Sequence, residues 1–169
     1  MSKLTILKYG DPILRRKSIE IKEFTADIKK LAFDMLDAMY KANGVGLAAP
    51  QAGFSIRLFV IDINPPDKRN PLIMLNPVII KAENKIDMEE GCLSFPTFYE
   101  TVKRFENIKA EYMTLEGIKK TISARGFLSK AIQHEIDHLD AKLFIDYLPD
   151  WKRKSLEKEI KRKRKAGQW

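Results

Sequence analysis

The chain has 169 residues, 44% hydrophobic and 32% charged, with a net charge of +8, which is enough for one compact domain with a buried core, so residues 1–169 read as a single domain. A single cysteine, Cys92, excludes an intramolecular disulfide and leaves a thiol that is either a small buried hydrophobe or a reactive group in a reducing compartment. No apolar run is long enough to span a bilayer, and Met1–Gly10 lacks the apolar centre of a signal peptide, so the expected location is the cytoplasm, with no membrane partner.

Taken in chain order, the first periodic segment is Thr25 to Asn43, where Ile28, Leu31, Met35 and Met39 recur every three or four residues. Thr25 is placed as an N-cap and Asn43-Gly44 as a stop, which predicts an amphipathic helix. A Gly-containing loop, Gly44 to Gly53, leads into Arg57 to Ile63, an apolar run of β-formers that Pro65-Pro66 ends. Strand-like runs follow at Ile73 to Ile80, Asn107 to Leu115 and Ile118 to Ser123, the last two joined at Glu116-Gly117. Near Arg125 the period becomes helical, with Phe127, Leu128, Ala131, Ile132, Ile136 and Leu139 forming a stripe that ends at Asp140. Trp151, Leu156 and Ile160 then space a basic helix or tail over residues 152–169. Helix first, strands in the middle and helices last predict an α+β fold, because parallel α/β folds alternate their elements.

Charge is unevenly placed. Lys152 to Lys165 carries nine Lys or Arg against two Glu, a net +7 in one segment. Such a segment suits a polyanion such as RNA. It equally suits a solvated helix end whose cations face the negative pole of the helix dipole.

The chemistry concentrates in three stretches. His134-Glu135-Ile136-Asp137-His138 is an H-E-x-x-H motif within the predicted helix, and its histidines are the only two in the chain. Residues four apart differ by about 40° around a helix, so both imidazoles can reach one cation, while Glu135 projects elsewhere and is free to act as general base toward a water. Two histidines leave a tetrahedral site short of a protein ligand. Phe144 stands where a metzincin has its third histidine. Glu157 or Glu159 would supply a downstream carboxylate, although both lie in the basic segment. Cys92, in Glu89-Glu90-Gly91-Cys92-Leu93-Ser94, offers a thiolate, and the S, N, N set with an open fourth position is that of a catalytic site. The third stretch, Gly44-Val45-Gly46-Leu47-Ala48-Ala49-Pro50-Gln51, combines glycines that permit close backbone approach with an amide able to donate to a developing oxyanion, or else forms a plain helix-to-strand turn.

In order and spacing these stretches resemble the peptide deformylase family, whose pattern has a G-φ-G-φ-A-A-x-Q segment, an E-G-C-L-S segment and an H-E-φ-D-H segment. Weaker similarity covers most of residues 5–148, including Gly126-Phe127-Leu128 and Leu143 to Tyr147. The resemblance implies an α+β fold with antiparallel or mixed sheets surrounding a central metal-ligand helix, an N-terminal helix and a C-terminal basic helix. It implies Fe²⁺, replaceable by Zn²⁺ or Ni²⁺, on Cys92, His134 and His138. Glu135 would then move protons, while the Gln51 side chain and the Leu93 N–H stabilise the tetrahedral intermediate. Val45, Met88 and Phe127 would hold the methionine side chain, and backbone groups of Gly46 and Gly91 would pair with the substrate as an added strand.

The expected partners are a formyl-Met nascent peptide and, through the basic segment, the ribosome, with no specific DNA partner. Two positions depart from the pattern, Ala141 and Thr97, where the family often has glycine. A metallopeptidase and an RNA-associated binding module are the other two readings; cleavage of unformylated peptides would mark the first, and salt-sensitive RNA binding without hydrolysis the second.

Overall fold

The computed structural model describes residues 4–169. The elements run α1 (Ala26–Lys41), β1 (Gly46–Ala48), β2 (Leu58–Ile61), β3 (Leu72–Cys92), β4 (Phe95–Met113), β5 (Lys119–Arg125), α2 (Gly126–Leu139) and α3 (Asp150–Lys165), with short 3-10 turns between them. The five strands form one sheet in chain order, antiparallel at every pairing. A parallel bridge, Ile19 with Ile56, ties the segment before α1 to the start of β2. The α+β architecture is the expected one.

α1 forms where the period predicts it. Thr25 Oγ1 accepts from the Ile28 N–H, Ala32, Met35, Leu36 and Met39 are buried, and Asn43 enters the left-handed region at φ +54 just past the helix end, which Asn tolerates better than most residues. β2 is buried at all four positions because it has a layer on each side. Leu58 and Val60, with Leu47 of β1, pack on α1, whereas Phe59 and Ile61, with Ala48 and Met74, pack under α2. The period of two sends alternate residues to opposite layers. Each large side chain fully buried there contributes about 1.5–3 kcal/mol.

β3 and β4 run much further than the expected strands. Lys81 to Cys92 and Phe95 to Glu106 continue the ladder as a long hairpin, with cross-strand support such as Lys103 on Asp87 at 2.9 Å. Much of that extension is solvated, so it lacks the apolar alternation that marks a half-buried strand. Glu116-Gly117 lies in a turn that begins with Gly117 N–H on Thr114 O and closes with Thr114 N–H on Ile118 O, at 3.0 and 2.9 Å, one residue longer than a two-residue hairpin.

A third cluster, Phe95, Val102, Leu143, Phe144, Ile145, Leu148, Leu156 and Ile160, seats α3 against the β3–β4 turn. Tyr9 stacks on Phe95 at 4.8 Å, its hydroxyl donates to Glu157 at 2.9 Å, and its carbonyl accepts from Trp169 Nε1 at 3.3 Å. Among the described residues no helix is long and apolar enough to cross a membrane. The two departures from the family pattern, Thr97 at φ +70 and Ala141 at φ +60, both hold the left-handed conformation that favours glycine, at a cost of about 1 kcal/mol each.

Candidate active site

α2 carries His134 and His138 one turn apart, and the turn between β3 and β4 brings Cys92 up to them. The three ligand atoms lie within 4.8 Å of one another, with Cys92 Sγ 3.3 Å from His138 Nε2 and the two rings edge-on, centroids 4.9 Å apart. Both histidines are buried. The alternative third ligands stand apart from this cluster, with Glu157 engaged by Tyr9 and Glu159 exposed on α3.

His134 is held from behind. Its Nδ1 is 2.9 Å from Glu90 Oε2, and Glu90 is gripped by Arg104 through Nε at 2.5 Å and Nη2 at 3.0 Å. Arg104 also reaches Asp137 Oδ2 at 2.6 Å, and Tyr147 donates to Asp137 Oδ1 at 3.0 Å while its ring lies 4.6 Å from the guanidinium. Burial raises the Glu90 carboxyl, but the hydrogen bonds from His134 and Arg104 win and hold it at about 2. Burial works against a charged His134, yet the sulfur of Cys92 and the carboxylate of Glu90 keep it well above the ordinary histidine value. Burial and the charge of His134 push His138 well below it.

Sequence reasoning assigned no role to Glu90, Arg104, Asp137 or Tyr147. The available signal was physical: a metal-binding histidine needs a partner for its second nitrogen, and a carboxylate stands two residues before Cys92.

Glu135 is buried beside the cluster and faces β1. Its Oε1 lies so close to Gly46 that a Cβ there would overlap it. Burial pushes its carboxyl up to about 7. Among the described residues the buried side-chain polar atoms without a hydrogen-bond partner are Glu135 Oε2, His138 Nδ1 and Ser18 Oγ, so two of the three belong to this site. Orphaned polar atoms of this kind are costly unless a ligand or ion uses them.

Gln51 sits in a 3-10 turn, Ala49–Ala52, that follows β1. Its Oε1 accepts from the Ala48 N–H at 2.8 Å, which aims Nε2 at Ser94 Oγ, 3.1 Å, and Cys92 Sγ, 3.4 Å. Ser94 donates in turn to Leu7 O at 2.7 Å, and the Leu7 N–H donates to Gln51 O at 2.7 Å. The segment from Leu7 to Tyr9 thereby ties the Gln51 turn to the Cys92 turn. Leu93 occupies the latter turn, between Cys92 and Ser94.

Of the residues expected to meet a substrate, Gly46 lies on β1, an outer strand of the sheet, and Gly91 pairs with Tyr99, whose ring rests against it, so that a Cβ at Gly91 would come to 2.5 Å from Cε1. Val45 and Phe127 are 42% and 49% exposed at the ends of β1 and α2, and Met88 is half-buried on β3 opposite Val102. Lys130 Nζ lies 4.4 Å from the Phe127 ring and donates to Glu89 O at 2.7 Å. The structure thus brings Cys92, His134, His138, Glu135 and Gln51 into one site, with the other residues on the elements around it.

A family model described as polypeptide deformylase matches residues 3–154. A peptide deformylase of Endomicrobium trichonymphae is 62% identical over 169 residues, covering 100% of both chains. One from Nitrosococcus oceani is 44% identical over 167 residues, 99% of each. Among solved structures, a peptide deformylase from Legionella pneumophila superposes with a TM-score of 0.92 at 38% identity, covering 98% of both chains.

Proposed function

The chain belongs to the peptide deformylase family, and from that premise we propose that the site on α2 hydrolyses the formamide of formyl-Met at the N-terminus of nascent peptides, releasing formate. It is a metal-dependent hydrolase that removes formyl groups. The observation that carries the reading is the meeting of Cys92, His134 and His138 within 4.8 Å beside a buried carboxyl, Glu135, with one oxygen unpartnered.

The donors fit a divalent cation. One sulfur and two imidazoles leave a fourth position open, and the Glu90 contact to His134 Nδ1 leaves Nε2 as the coordinating nitrogen. We assign Fe²⁺ to this set, with Zn²⁺ or Ni²⁺ able to replace it. When bound, the ion supplies Lewis acidity that polarises the formyl carbonyl and makes water a nucleophile near neutral pH.

The protein does the rest. Glu135, kept in a low-dielectric pocket against Gly46, takes the proton of the attacking water and returns it to the departing amine. Gln51 Nε2 and the Leu93 N–H donate to the oxygen on which negative charge develops. Backbone groups of Gly46 on β1 and Gly91 on β3 pair with the peptide as an added strand. Val45, Met88 and Phe127 enclose the methionine side chain; the partial exposure of Val45 and Phe127 suits residues that a ligand covers.

The partner surface is α3, which buries Leu156 and Ile160 and exposes Lys154, Lys158, Lys161, Arg162 and Lys165. We assign it to ribosomal RNA, in the cytoplasm, with phosphate neutralisation supplying the affinity.

The deciding experiment is formate release from formyl-Met-Ala-Ser by protein loaded anaerobically with Fe²⁺, beside Glu135→Ala and Cys92→Ala. Release by the wild type and its loss in both variants is expected. No release by folded, metal-loaded wild type would overturn the reading. Ribosome co-sedimentation of a variant with Lys154, Lys158, Lys161, Arg162 and Lys165 changed to Glu tests the partner; undiminished binding would remove α3 from that role.

A further inference from the structure

At the far end of β1 from Gln51, a second polar cluster stands outside the catalytic machinery. It is built on Asp62, the residue after β2, whose side chain is buried although no cation is paired with it among the ion pairs of the described residues. Tyr40 Oη, from the last turn of α1, donates to Asp62 Oδ2 at 2.7 Å. The Asn70 N–H donates to the same oxygen at 3.0 Å. The Asn64 N–H and Asn64 Nδ2 donate to Oδ1 at 3.0 and 2.9 Å. Four donors meet an acceptor-only group with about four lone-pair sites. Arg69, a cation of the same segment, lies over the Tyr40 ring, 3.9 Å from its centroid.

This cluster has a direct line to the substrate edge. The Asp62 N–H donates to Val45 O at 2.9 Å, immediately beyond the pairing of Gly46 with Ile61. One residue therefore joins three things: its carboxylate holds the end of α1 and the segment 63–70 with its Pro66–Lys68 turn, and its N–H holds the Val45–Gly46 end of β1. β1 leads from Val45 toward Gln51 and the Cys92 cluster. A peptide whose formyl group lies at that cluster, and whose backbone pairs along β1, runs in its later residues toward Val45 and the 63–70 segment.

We propose that Asp62 is a positioning residue for the downstream part of the substrate: its carboxylate knots segment 63–70 to Tyr40 beside the Val45–Gly46 edge that its own N–H holds, and so governs docking of the residues that follow the formyl-Met. The inference rests on the deformylase reading above and adds to it a device that acts on docking and leaves the chemistry alone. An aspartate suits the place because all four contacts are donated to it. An Asn at this place turns its NH2 toward backbone N–H groups that can only donate, at Asn70 or at Asn64, which breaks up to half of the knot.

The test compares formyl-Met-Ala-Ser with formyl-Met amide, a substrate that stops short of segment 63–70, in Fe²⁺-loaded wild type, Asp62→Asn and Tyr40→Phe. Asp62→Asn is expected to raise KM for the tripeptide by about tenfold, the size associated with a lost hydrogen bond to a buried charge, with kcat retained and formyl-Met amide little affected. Tyr40→Phe, which removes one donor and keeps the ring under Arg69, is expected to show the same pattern at about threefold. Hydrogen exchange should show faster amide exchange at residues 44–47 and 62–70 in both variants.

Equal effects on the two substrates, or an unchanged KM for the tripeptide, would overturn the proposal; if Asp62→Asn does not fold, Tyr40→Phe decides it. Wild type that releases no formate at all would instead overturn the deformylase reading, so the two failures are distinguishable.

Discussion

His134 and Glu90 meet at 2.9 Å through Nδ1 and Oε2, and that contact fixes which imidazole nitrogen faces Cys92. Arg104 holds Glu90 from the far side and links it to Asp137 between the two histidines. The arrangement makes the ring orientation a property of three side chains on β3, β4 and α2, two of them, Glu90 and Arg104, buried. Glu90→Gln is expected to weaken metal affinity about 10- to 100-fold, as with other carboxylates behind a histidine ligand, measured by competition with a chelator. Wild-type affinity in that variant would show that the histidine is oriented by packing alone.

Glu135 is placed to move protons and is not one of the three clustered ligand residues. Glu135→Gln should therefore keep its metal while kcat falls about 10²- to 10⁴-fold, with metal content and turnover measured on the same sample. Loss of metal together with activity would reassign Glu135 to coordination.

Gly46 borders the Glu135 carboxyl so closely that a methyl group overlaps it. Gly46→Ala should displace that carboxyl and lower kcat by about 10²-fold, while the thermal midpoint moves by only a few degrees. A variant of full activity would mean that the β1 edge yields easily, contrary to its pairing with β2.

Arg15 grips Asp146 through both guanidinium ends, at 2.6 and 2.9 Å, and Asp146 also accepts from the Leu143 N–H at 2.9 Å. Burial raises the Asp146 carboxyl, but these bonds outweigh it and hold it below the usual aspartate range. The carboxylate is thus favoured more in the fold than in the unfolded chain. Its contribution is complete above the unfolded value of roughly 3.9 and disappears as pH falls through the lower folded one. Asp146→Asn should cost about 1 kcal/mol at pH 7, allowing for partial solvent exposure, and the gap should narrow in acid. Urea midpoints at pH 7 and pH 3 check this; a gap independent of pH would remove the ion pair from the account.

Legibility in the sequence followed burial. α1, β2 and α2 were readable because each sends a regular set of apolar residues into a core: Met35 and Met39, Leu58 to Ile61, Ile132 and Leu139. The hairpin arms from Lys81 to Cys92 and from Phe95 to Glu106 were not, since the first is mostly exposed and the second puts the charged Arg104 at an inward position beside Val102, which leaves little hydrophobic pattern. At the site, His134, His138 and Glu135 could be read from helix geometry, and Cys92 from the ligand that two histidines leave missing, a choice with which the resemblance to a known family agreed. Arg104 stayed hidden because nothing local marks a buried arginine; its partners come from β3 and α2. The departures at Thr97 and Ala141 were visible as letters, and only the backbone shows that they carry a conformational cost: both adopt positive φ.

The Leu7–Tyr9 segment ties the Gln51 turn to the Cys92 turn, and Tyr9 is itself secured by partners 148 and 160 residues further along. These are among the longest-range contacts the chain can make, joining residue 9 to residues 157 and 169. The wall behind Gln51 and Cys92 is therefore held by both ends of the chain at once, and the helix that carries the two histidines is not among the elements that hold it. Damage at either terminus reaches the catalytic site through Tyr9 without touching a ligand.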